Sequence, residues 1–339
     1  MTWRLDVRVE TARMRLPDGR TVERRVEVRT HPLTGDTVRV LTPPFRRLRV
    51  PEIRVEYAHT LNGCPFCPEA LDTQTPAFHP DEFPQPRIVH GQVTVFPNLL
   101  AYAGISAVSV LTREHFVTLD EFTPELLADA FAAAHTFFCA AEAARPDLGI
   151  RLLHWNYMPP SGSSMIHPHH QLMASRVVPT RLARLADGSR RLASAAGRHP
   201  WDVIVEAERS DGSRWVGETG RWRWLADPAP QGRYFELVGV HDSACDLLEL
   251  DERDFDGLVE GLLRTFRYMG RCGLWSFNLA LMGLPPEASE HFRVQTRLVP
   301  RAFFPPAGCS DIHFDVIEHE PMVLRSPEQS AEELREFFG

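Results

Sequence analysis

The stretch MIHPHHQLMAS, residues Met165–Ser175, decides the fold and packs three histidines into four positions. Residues two apart on a β-strand share one face, so we expect His167, His169 and Gln171 to lie together. His170 is expected to point to the opposite face. Polar side chains on one face of an otherwise apolar strand require partners. The pattern therefore favours a functional strand over a set of hydrogen-bonded core histidines.

The loop before this strand is rich in small and polar residues. Its sequence, NYMPPSGSSMI, supplies Asn156, Gly162, Ser163 and Ser164. Glycine lets backbone N–H groups approach a ligand closely, and the hydroxyl and amide side chains add further donors. Such a loop suits the oxygens of a phosphate group, although loops of this composition are also common surface connectors.

A pair of cysteines, Cys64 and Cys67, forms a C-x-x-C motif within NGCPFCPE. The motif alone is compatible with redox chemistry, with zinc binding or with chance, and no thioredoxin-like strand and helix surround it. A structural zinc site needs four nitrogen or sulfur ligands. His115, at the end of a predicted strand, and His167, at the start of another, are candidates, but each could also be an isolated surface histidine.

Composition limits the class of protein. The chain has 339 residues, of which 43% are hydrophobic and 24% charged, and its formal net charge is −8. A negative charge and the lack of a long basic run argue against a nucleic-acid partner. The N-terminus, MTWRLDVRVE, has no signal-peptide pattern, and no run of 18 apolar residues predicts a membrane span. Six cysteines in a chain of this length do not predict a disulfide framework. We therefore expect a cytoplasmic protein without a membrane partner.

The same order of elements, strand, helix, strand, loop and strand, is predicted twice along the chain. In the first half, PELLADAFAAAHTFFCAAEAA predicts a helix after Thr123, and IRLLHWNY predicts a strand. In the second half, DVIVEAERSDGSRWVGE predicts a hairpin around Asp211 and Gly212, and DERDFDGLVEGLLRTFRYMG predicts a helix before the strands SFNLALMG and HFRVQTRLVP. The fold class is therefore α+β, with antiparallel sheets, packed helices and two related halves, residues 1–190 and 191–339.

These motifs resemble the galactose-1-phosphate uridylyltransferases, a branch of the histidine-triad superfamily. The resemblance spans most of the chain and rests on HPLTGDTVRV, CPFC, VFPN, REH and the H-P-H-x-Q element. A glutamine at the last of these positions marks the transferase branch, because most histidine-triad proteins have histidine there. The resemblance implies two histidine-triad-like halves with the second degenerate. Gln295 and Arg297 stand where ligands of a second metal are expected, so we expect no second metal.

The resemblance also implies roles for individual residues. His169 would attack the α-phosphorus of a nucleotide sugar and become nucleotidylated, and Gln171 would bind the phosphoryl oxygens. Zinc would be the cofactor. Glu320 matches an acidic residue of the acceptor pocket, whose basic residue is absent. The implied zinc ligands are Cys64, Cys67, His115 and His167, and the implied nucleotide and phosphate contacts are Asn98, Asn156, Gly162, Ser163 and Ser164.

As a whole, the resemblance implies a nucleotidyltransferase of the UDP-glucose–hexose-1-phosphate uridylyltransferase type, a cytoplasmic homodimer of galactose metabolism. Its partners would be a nucleotide sugar and a sugar phosphate. The base, uridylyl or adenylyl, and the acceptor stay open. The alternatives are a phosphorylase or hydrolase of a nucleotide sugar or dinucleotide, and a zinc-stabilised nucleotide-binding protein without turnover. Arg46, Arg47 and Arg49 either reach the nucleotide site of a partner chain or form a solvated strand edge.

Overall fold

The computed structural model describes residues 3–44, 47–302 and 313–339 of the chain. The strands are β1 Asp6–Arg15, β2 Thr21–Thr30, β3 Thr37–Val40, β4 Ile88–His90, β5 Val93–Pro97, β6 Ile105–Val110, β7 Ile150–Tyr157, β8 His169–Ser175, β9 Trp215–Thr219, β10 Trp222–Ala226, β11 Leu237–His241, β12 Ser276–Met282, β13 Gln295–Arg301 and β14 Met322–Val323. The helices are α1 Ile53–Glu56, α2 Pro68–Gln74, α3 Pro124–Ala144, α4 Thr180–Ala196, α5 Pro200–Asp211, α6 Glu252–Cys272, α7 Pro286–Ser289, α8 His313–Val316 and α9 Pro327–Phe338.

A ten-stranded antiparallel sheet repeats one strand order on both sides of its centre. From one edge the order is β4-β5-β6-β8-β7, and from the other it is β9-β10-β11-β13-β12. The central strands β7 and β12 pair antiparallel, with Asn156 opposite Asn278. The long helix of each half, α3 or α6, joins equivalent strands. The predicted α+β fold of two related halves is confirmed. The boundary at residue 190 stays a prediction, and that residue lies within α4.

A second, four-stranded sheet has the order β1-β2-β3-β14. Its first three strands are antiparallel, whereas β14 pairs parallel with β3. Gly19, in the turn between β1 and β2, has a φ of 87°, a conformation that glycine adopts without strain. The sheet therefore ties the two ends of the chain together through the contact of β3 with β14.

Helix starts follow the capping residues that the sequence offers. The Thr123 hydroxyl accepts a hydrogen bond from the N–H of Leu126 at 3.2 Å and begins α3. Asp251 begins α6 in a capping box with Asp254. Such side chains satisfy N–H groups that have no partner inside the helix. Both long helices were predicted and are confirmed.

The hairpin predicted around Asp211 and Gly212 is wrong. The segment before it, Pro200–Asp211, forms the helix α5, and Gly212 ends that helix with a φ of 72°. A DG pair after an apolar segment predicts a hairpin turn, but the same glycine conformation also terminates helices. Trp201 and Ile204 of α5 are buried at helical spacing, so tertiary packing decides between the two.

Helices cover the two faces of the ten-stranded sheet unequally. One face packs against α3, α6 and α9 in the larger apolar cluster. The other packs against α4 and α5 through a smaller cluster that includes Leu152 of β7 and Met173 of β8. His169 lies farther along this second face, because it is four residues before Met173 on β8.

One described helix, α3, is long and apolar enough by length and composition to cross a membrane. In the structure it is a core helix. It packs on α6 and the ten-stranded sheet, and its Leu127, Phe131 and Phe137 are buried. The expected cytoplasmic location stays a prediction.

Candidate active site

Four side chains form a cluster with the donor atoms of a zinc site. The ligand atoms of Cys64, Cys67, His115 and His167 lie within 4.8 Å of one another. The Cys67 Sγ is 3.3 Å from His115 Nδ1 and 3.7 Å from His167 Nδ1. Tetrahedral zinc with ordinary bond lengths separates a nitrogen from a sulfur ligand by roughly 3.5 Å. The cluster could therefore hold a metal ion of this kind.

The two histidines of the cluster are held in the tautomer that a metal needs. His167 Nε2 donates to the carbonyl of Thr112 at 2.8 Å. His115 Nε2 lies 3.0 Å from the Thr60 hydroxyl, which donates its own proton to the Tyr57 carbonyl and so accepts from the ring. Both rings therefore direct an unprotonated Nδ1 at the cysteines, an arrangement typical of metal-binding histidines.

Burial shifts the protonation of the cluster. It lowers the pKa of His115 and lowers that of His167 to about 4, so both rings are neutral at pH 7. Burial and the neighbouring Cys64 raise the pKa of the Cys67 thiol to about 12. Without a metal ion the thiol keeps its proton, and metal binding must release it. The chemistry of this donor set thus favours a cation that binds thiolates.

The predicted nucleophile, His169, lies at the start of β8 next to the cluster. Its Nδ1 donates to the carbonyl of His167 at 2.9 Å, which leaves the Nε2 lone pair free. Burial lowers the pKa of the ring, which favours the neutral form. The ring of Phe66, between the two cysteines in sequence, packs edge-on at a centroid distance of 5.2 Å. The backbone and the C-x-x-C loop therefore fix this imidazole in one orientation.

Polar side chains continue from His169 across three strands of the same sheet face. Gln171 is two residues farther on β8, and His154 of β7 lies directly opposite it. Asn156 follows two residues after His154, and Asn278 of β12 lies opposite Asn156. Because strand residues two apart share a face, these side chains form one continuous polar strip. The strip can present amide and imidazole groups to an elongated polar ligand.

Asn278 links this strip to the loop between β7 and β8. Its Nδ2 donates to Asn156 Oδ1 at 2.7 Å and to the Ser161 carbonyl at 2.8 Å. The loop turns at Gly162, whose φ is 86°. In the same loop the Ser163 hydroxyl donates to the Met165 carbonyl at 2.7 Å. A residue of the second half thus fixes the loop that lies beside the first half's histidine strand.

The predicted phosphate-binding residues are brought to this region. Gly162 and Ser164 are exposed in the loop, and Asn156 and Ser163 are half-buried. Asn98 follows β5, where its N–H donates to the Ser106 carbonyl and its Oδ1 accepts from the N–H of Leu100 at 3.0 Å. The strand register places Asn98 on the same sheet face as Gln171.

His170 points to the opposite face, as its position predicts. Its buried ring lies against Trp155 at a centroid distance of 4.8 Å and against Phe131 at 5.5 Å. Neither ring nitrogen has a hydrogen-bond partner among the described residues. Burial therefore lowers the pKa of His170 to about 3 and keeps the ring neutral. Its surroundings are those of a core residue and not of the polar strip.

The remaining predicted residues have their contacts outside the strip. Glu320 lies 3.4 Å from the guanidinium of Arg39 on β3, in the four-stranded sheet. Arg47 lies near the Gly270 carbonyl, and Arg49 is exposed and pairs with Glu56. Arg46 lies outside the described residues.

In the second half, an ion cluster stands where a second metal's ligands were sought. Arg297 Nη1 lies 2.8 Å from Asp227 Oδ2 and 2.5 Å from Glu236 Oε1, and all three are buried. Burial alone would raise the pKa of Asp227, but His31 and Arg297 lower it below its usual range. The positive charge of Arg297 is thus paired with two buried carboxylates. The absence of a second metal stays a prediction.

Sequence reasoning missed His154 and Asn278. His154 could have been found, because it alternates with Asn156 in the predicted strand IRLLHWNY. Asn278 alternates with Ser276 in the same way, but the sequence does not show which strand it faces. Its role depends on the pairing of β7 with β12, whose residues lie 122 positions apart at the Asn278–Asn156 hydrogen bond.

The comparisons with known proteins agree with this fold. No protein-family model matches the chain. An uncharacterized protein of Archaeoglobus fulgidus is 30% identical over 332 residues, which cover 98% of each chain. The structure of an ADP-glucose phosphorylase from Arabidopsis thaliana with bound ADP-glucose matches with a TM-score of 0.70 at 17% identity, covering 92% of this chain and 99% of the other.

Two further solved structures match over a similar length. A GalT-like protein from Arabidopsis thaliana has a TM-score of 0.69 at 17% identity and covers 91% of this chain and 98% of its own. A uridylyltransferase structure has a TM-score of 0.67 at 18% identity, covering 92% and 98%. At these identities the structures show a shared fold, and they confirm the fold expected from the histidine motif.

Proposed function

The chain belongs to one family with the Archaeoglobus fulgidus protein and has the fold of the galactose-1-phosphate uridylyltransferase branch of the histidine-triad superfamily. From this premise we propose that it transfers a nucleoside monophosphate from a nucleotide sugar to a phosphate-bearing acceptor through a nucleotidyl-His169 intermediate. One observation carries the proposal. His169 holds its proton on Nδ1 and leaves Nε2 free, at the head of a polar strip beside a loop of small residues.

In the first step, the Nε2 lone pair attacks the α-phosphorus, and the bond from that phosphorus to the bridging oxygen breaks. A sugar phosphate leaves with the electron pair. In the second step, an acceptor phosphate oxygen attacks the same phosphorus, and the phosphorus–nitrogen bond breaks. A neutral imidazole suits both steps. It can attack in the first step without first losing a proton, and it leaves as a neutral group in the second.

Other groups of the chain would stabilise the charge on the phosphoryl oxygens during both steps. The amide of Gln171 is two residues from His169 on the same face, and the exposed Ser164 of the loop offers its hydroxyl. Donors fixed in place before the reaction cost little reorganisation. Zinc bound by Cys64, Cys67, His115 and His167 would supply a structural link that fixes the start of β8.

The acceptor is either a sugar phosphate or inorganic phosphate. Glu320, the acidic residue expected in a hexose pocket, pairs with Arg39 in the four-stranded sheet, whereas His169 lies in the ten-stranded sheet. The fold match to an ADP-glucose phosphorylase supports a nucleotide-sugar phosphorylase as the second candidate. A role in galactose metabolism, a homodimer and a cytoplasmic location remain parts of the proposal.

The decisive experiment is intact-protein mass spectrometry after incubation with UDP-glucose or ADP-glucose. A gain of one uridylyl or adenylyl group supports the covalent mechanism and identifies the base. Inorganic phosphate or a hexose 1-phosphate is then added. The compound that removes the nucleotidyl group from the protein is the acceptor. A protein that gains no mass with any donor tested, and forms no product, would instead be the nucleotide-binding protein without turnover.

Replacing Asn278 by alanine is expected to slow nucleotidylation about tenfold. The side chain supplies both hydrogen bonds from β12 to Asn156 and to the Ser161 carbonyl, and without it the loop loses its anchor. Single-turnover rates measured by mass spectrometry test this. Ser276→Ala is the matched control, because it removes a 2.7 Å hydrogen bond from β12 to the Tyr157 carbonyl and leaves the anchor intact. Equal rates in the two variants would contradict the role of Asn278.

A further inference from the structure

The edge strand β1 is long and regular, and no other strand of the described residues pairs with its outer edge. All ten of its residues are exposed, and it pairs with β2 in an unbroken register. Strands in globular proteins have typically about five or six residues, and exposed edges are usually shortened, bulged or interrupted by proline. β1 has none of these features. Such an edge is a template for another strand.

The hydrogen bonds of the four-stranded sheet identify which groups of β1 are free. Arg39 of β3 donates its N–H to the carbonyl of Pro321, just before β14, at 2.9 Å, and Leu41, just after β3, donates to the carbonyl of Val323 at 2.7 Å. The backbone N–H and C=O groups of successive strand residues point to opposite sides. Because those of Arg39 point to β14, those of Val40 point to β2 and bond to Glu27. Glu27 thus faces β3, and its neighbour Val26 bonds to β1.

Val26 lies opposite Glu10, so the even-numbered residues of β1 bond to β2. The odd-numbered residues direct their N–H and C=O groups to the free edge. Val7 and Val9 are among them, with 40% and 49% of their surfaces exposed. The edge therefore offers unpaired backbone groups alongside exposed valines.

We propose that β1 pairs antiparallel with β1 of a second copy of this chain, about a two-fold axis at Val9. The proposal does not depend on the chemistry of His169. The free groups can bond only if odd-numbered residues of one copy lie opposite odd-numbered residues of the other. The two-fold axis must therefore pass through a residue position and not between two residues. An axis at Arg8 or at Glu10 sets that charged residue against itself, which is destabilising.

An axis at Val9 gives complementary charged pairs on both sides of it. Arg8 lies opposite the partner subunit's Glu10, and Glu10 opposite the partner subunit's Arg8. These are pairs without direct backbone hydrogen bonds, in which side chains approach most closely. Val7 lies opposite the partner subunit's Thr11, and Val9 opposite its own copy. About six backbone hydrogen bonds and an apolar strip result.

Alternative registers are weaker. An axis at Thr11 sets Val9 opposite Arg13, and an axis at Val7 pairs few residues of β1. The mixed charges of β1 therefore select one register rather than blocking association. The partner is therefore a second copy of this chain, because the order of charges along β1 is complementary to itself in an antiparallel pair.

Charge reversal tests the register. Sedimentation of the full chain is expected to show a dimer at micromolar concentration. Arg8→Glu and Glu10→Arg are each expected to raise the dimer dissociation constant at least about tenfold, because each replaces two attractive contacts by two repulsive ones. The double variant R8E/E10R is expected to recover the dimer. A monomeric wild-type protein would overturn the proposal, as would single variants that dimerise as tightly as wild type.

Cross-linking tests the axis itself. Opposite residues of a hydrogen-bonded pair have Cα atoms about 5.5 Å apart, within reach of a disulfide. Val9→Cys is therefore expected to form a covalent dimer under mild oxidation. Thr11→Cys is the matched control, since its two copies would lie roughly 14 Å apart. Wild type treated in parallel corrects for the exposed Cys139. Absence of cross-linking at position 9, or equal cross-linking at both positions, would overturn the proposal.

Discussion

Replacing His169 by alanine is expected to abolish nucleotidyl transfer, with a loss of at least about 10⁴-fold in rate. The variant loses the only atom placed to bond with phosphorus in the proposed mechanism, Nε2. Its fold and its metal content should be unchanged, because the side chain makes one hydrogen bond, to the His167 carbonyl, and is not one of the four clustered donors. Intact-protein mass spectrometry with a nucleotide sugar checks the loss of transfer, and metal analysis checks that the metal content is unchanged.

Neighbouring histidines provide the controls for this variant. His170→Ala should leave the nucleotidylation rate much less affected, because this side chain packs with Trp155 and Phe131 on the opposite face. His167→Ala should lose metal as well as rate. The expected order of damage to turnover is His169, then His167, then His170, with metal lost only from the His167 variant. A His169→Ala protein that keeps near-wild-type turnover or loses its metal would contradict both assignments.

Much of this site follows from local sequence patterns, because its chemistry is concentrated in short segments. The alternation in H-P-H-H-Q predicts that His169 and Gln171 share a face and that His170 takes the other, and β8 has this arrangement. Strand alternation needs no knowledge of the rest of the fold. The clustering of Cys64 and Cys67 with His115 and His167 follows instead from the resemblance to a known family, since no local rule joins residues about a hundred positions apart.

What the sequence does not predict depends on packing between distant segments. The DG pair at Asp211 and Gly212 is a turn signal in either a hairpin or a helix end. The burial of Trp201, a residue of α5, decides the outcome. Asn278 becomes part of the site because β7 and β12 are the central pair of the sheet. The two-fold repeat of strand order is visible in the sequence, but the pairing across its centre is not.

The four clustered donors and the proposed nucleophile, His169, are linked by direct contacts. Phe66, inside the C-x-x-C loop, packs against the rings of both His167 and His169. The backbone carbonyl that orients His169 belongs to His167, a member of the cluster. A shift of the cluster should therefore also move His169, through the ring contact with Phe66 and the hydrogen bond to the His167 carbonyl. Disruption of the cluster should consequently lower both stability and the rate of transfer.

Replacing Cys67 by serine is therefore expected to lose one zinc per chain and to lower the free energy of unfolding by roughly 5 kcal/mol or more. Serine keeps the size of the side chain but is a poor zinc ligand, and three buried donors would remain without their ion. Metal analysis and denaturant unfolding test this. Cys139→Ser, at an exposed position on α3, is the matched control and should change neither quantity. A Cys67→Ser protein with wild-type zinc content and stability would show that the cluster is not a structural metal site. It would also remove the reason for expecting the metal ion to position His169.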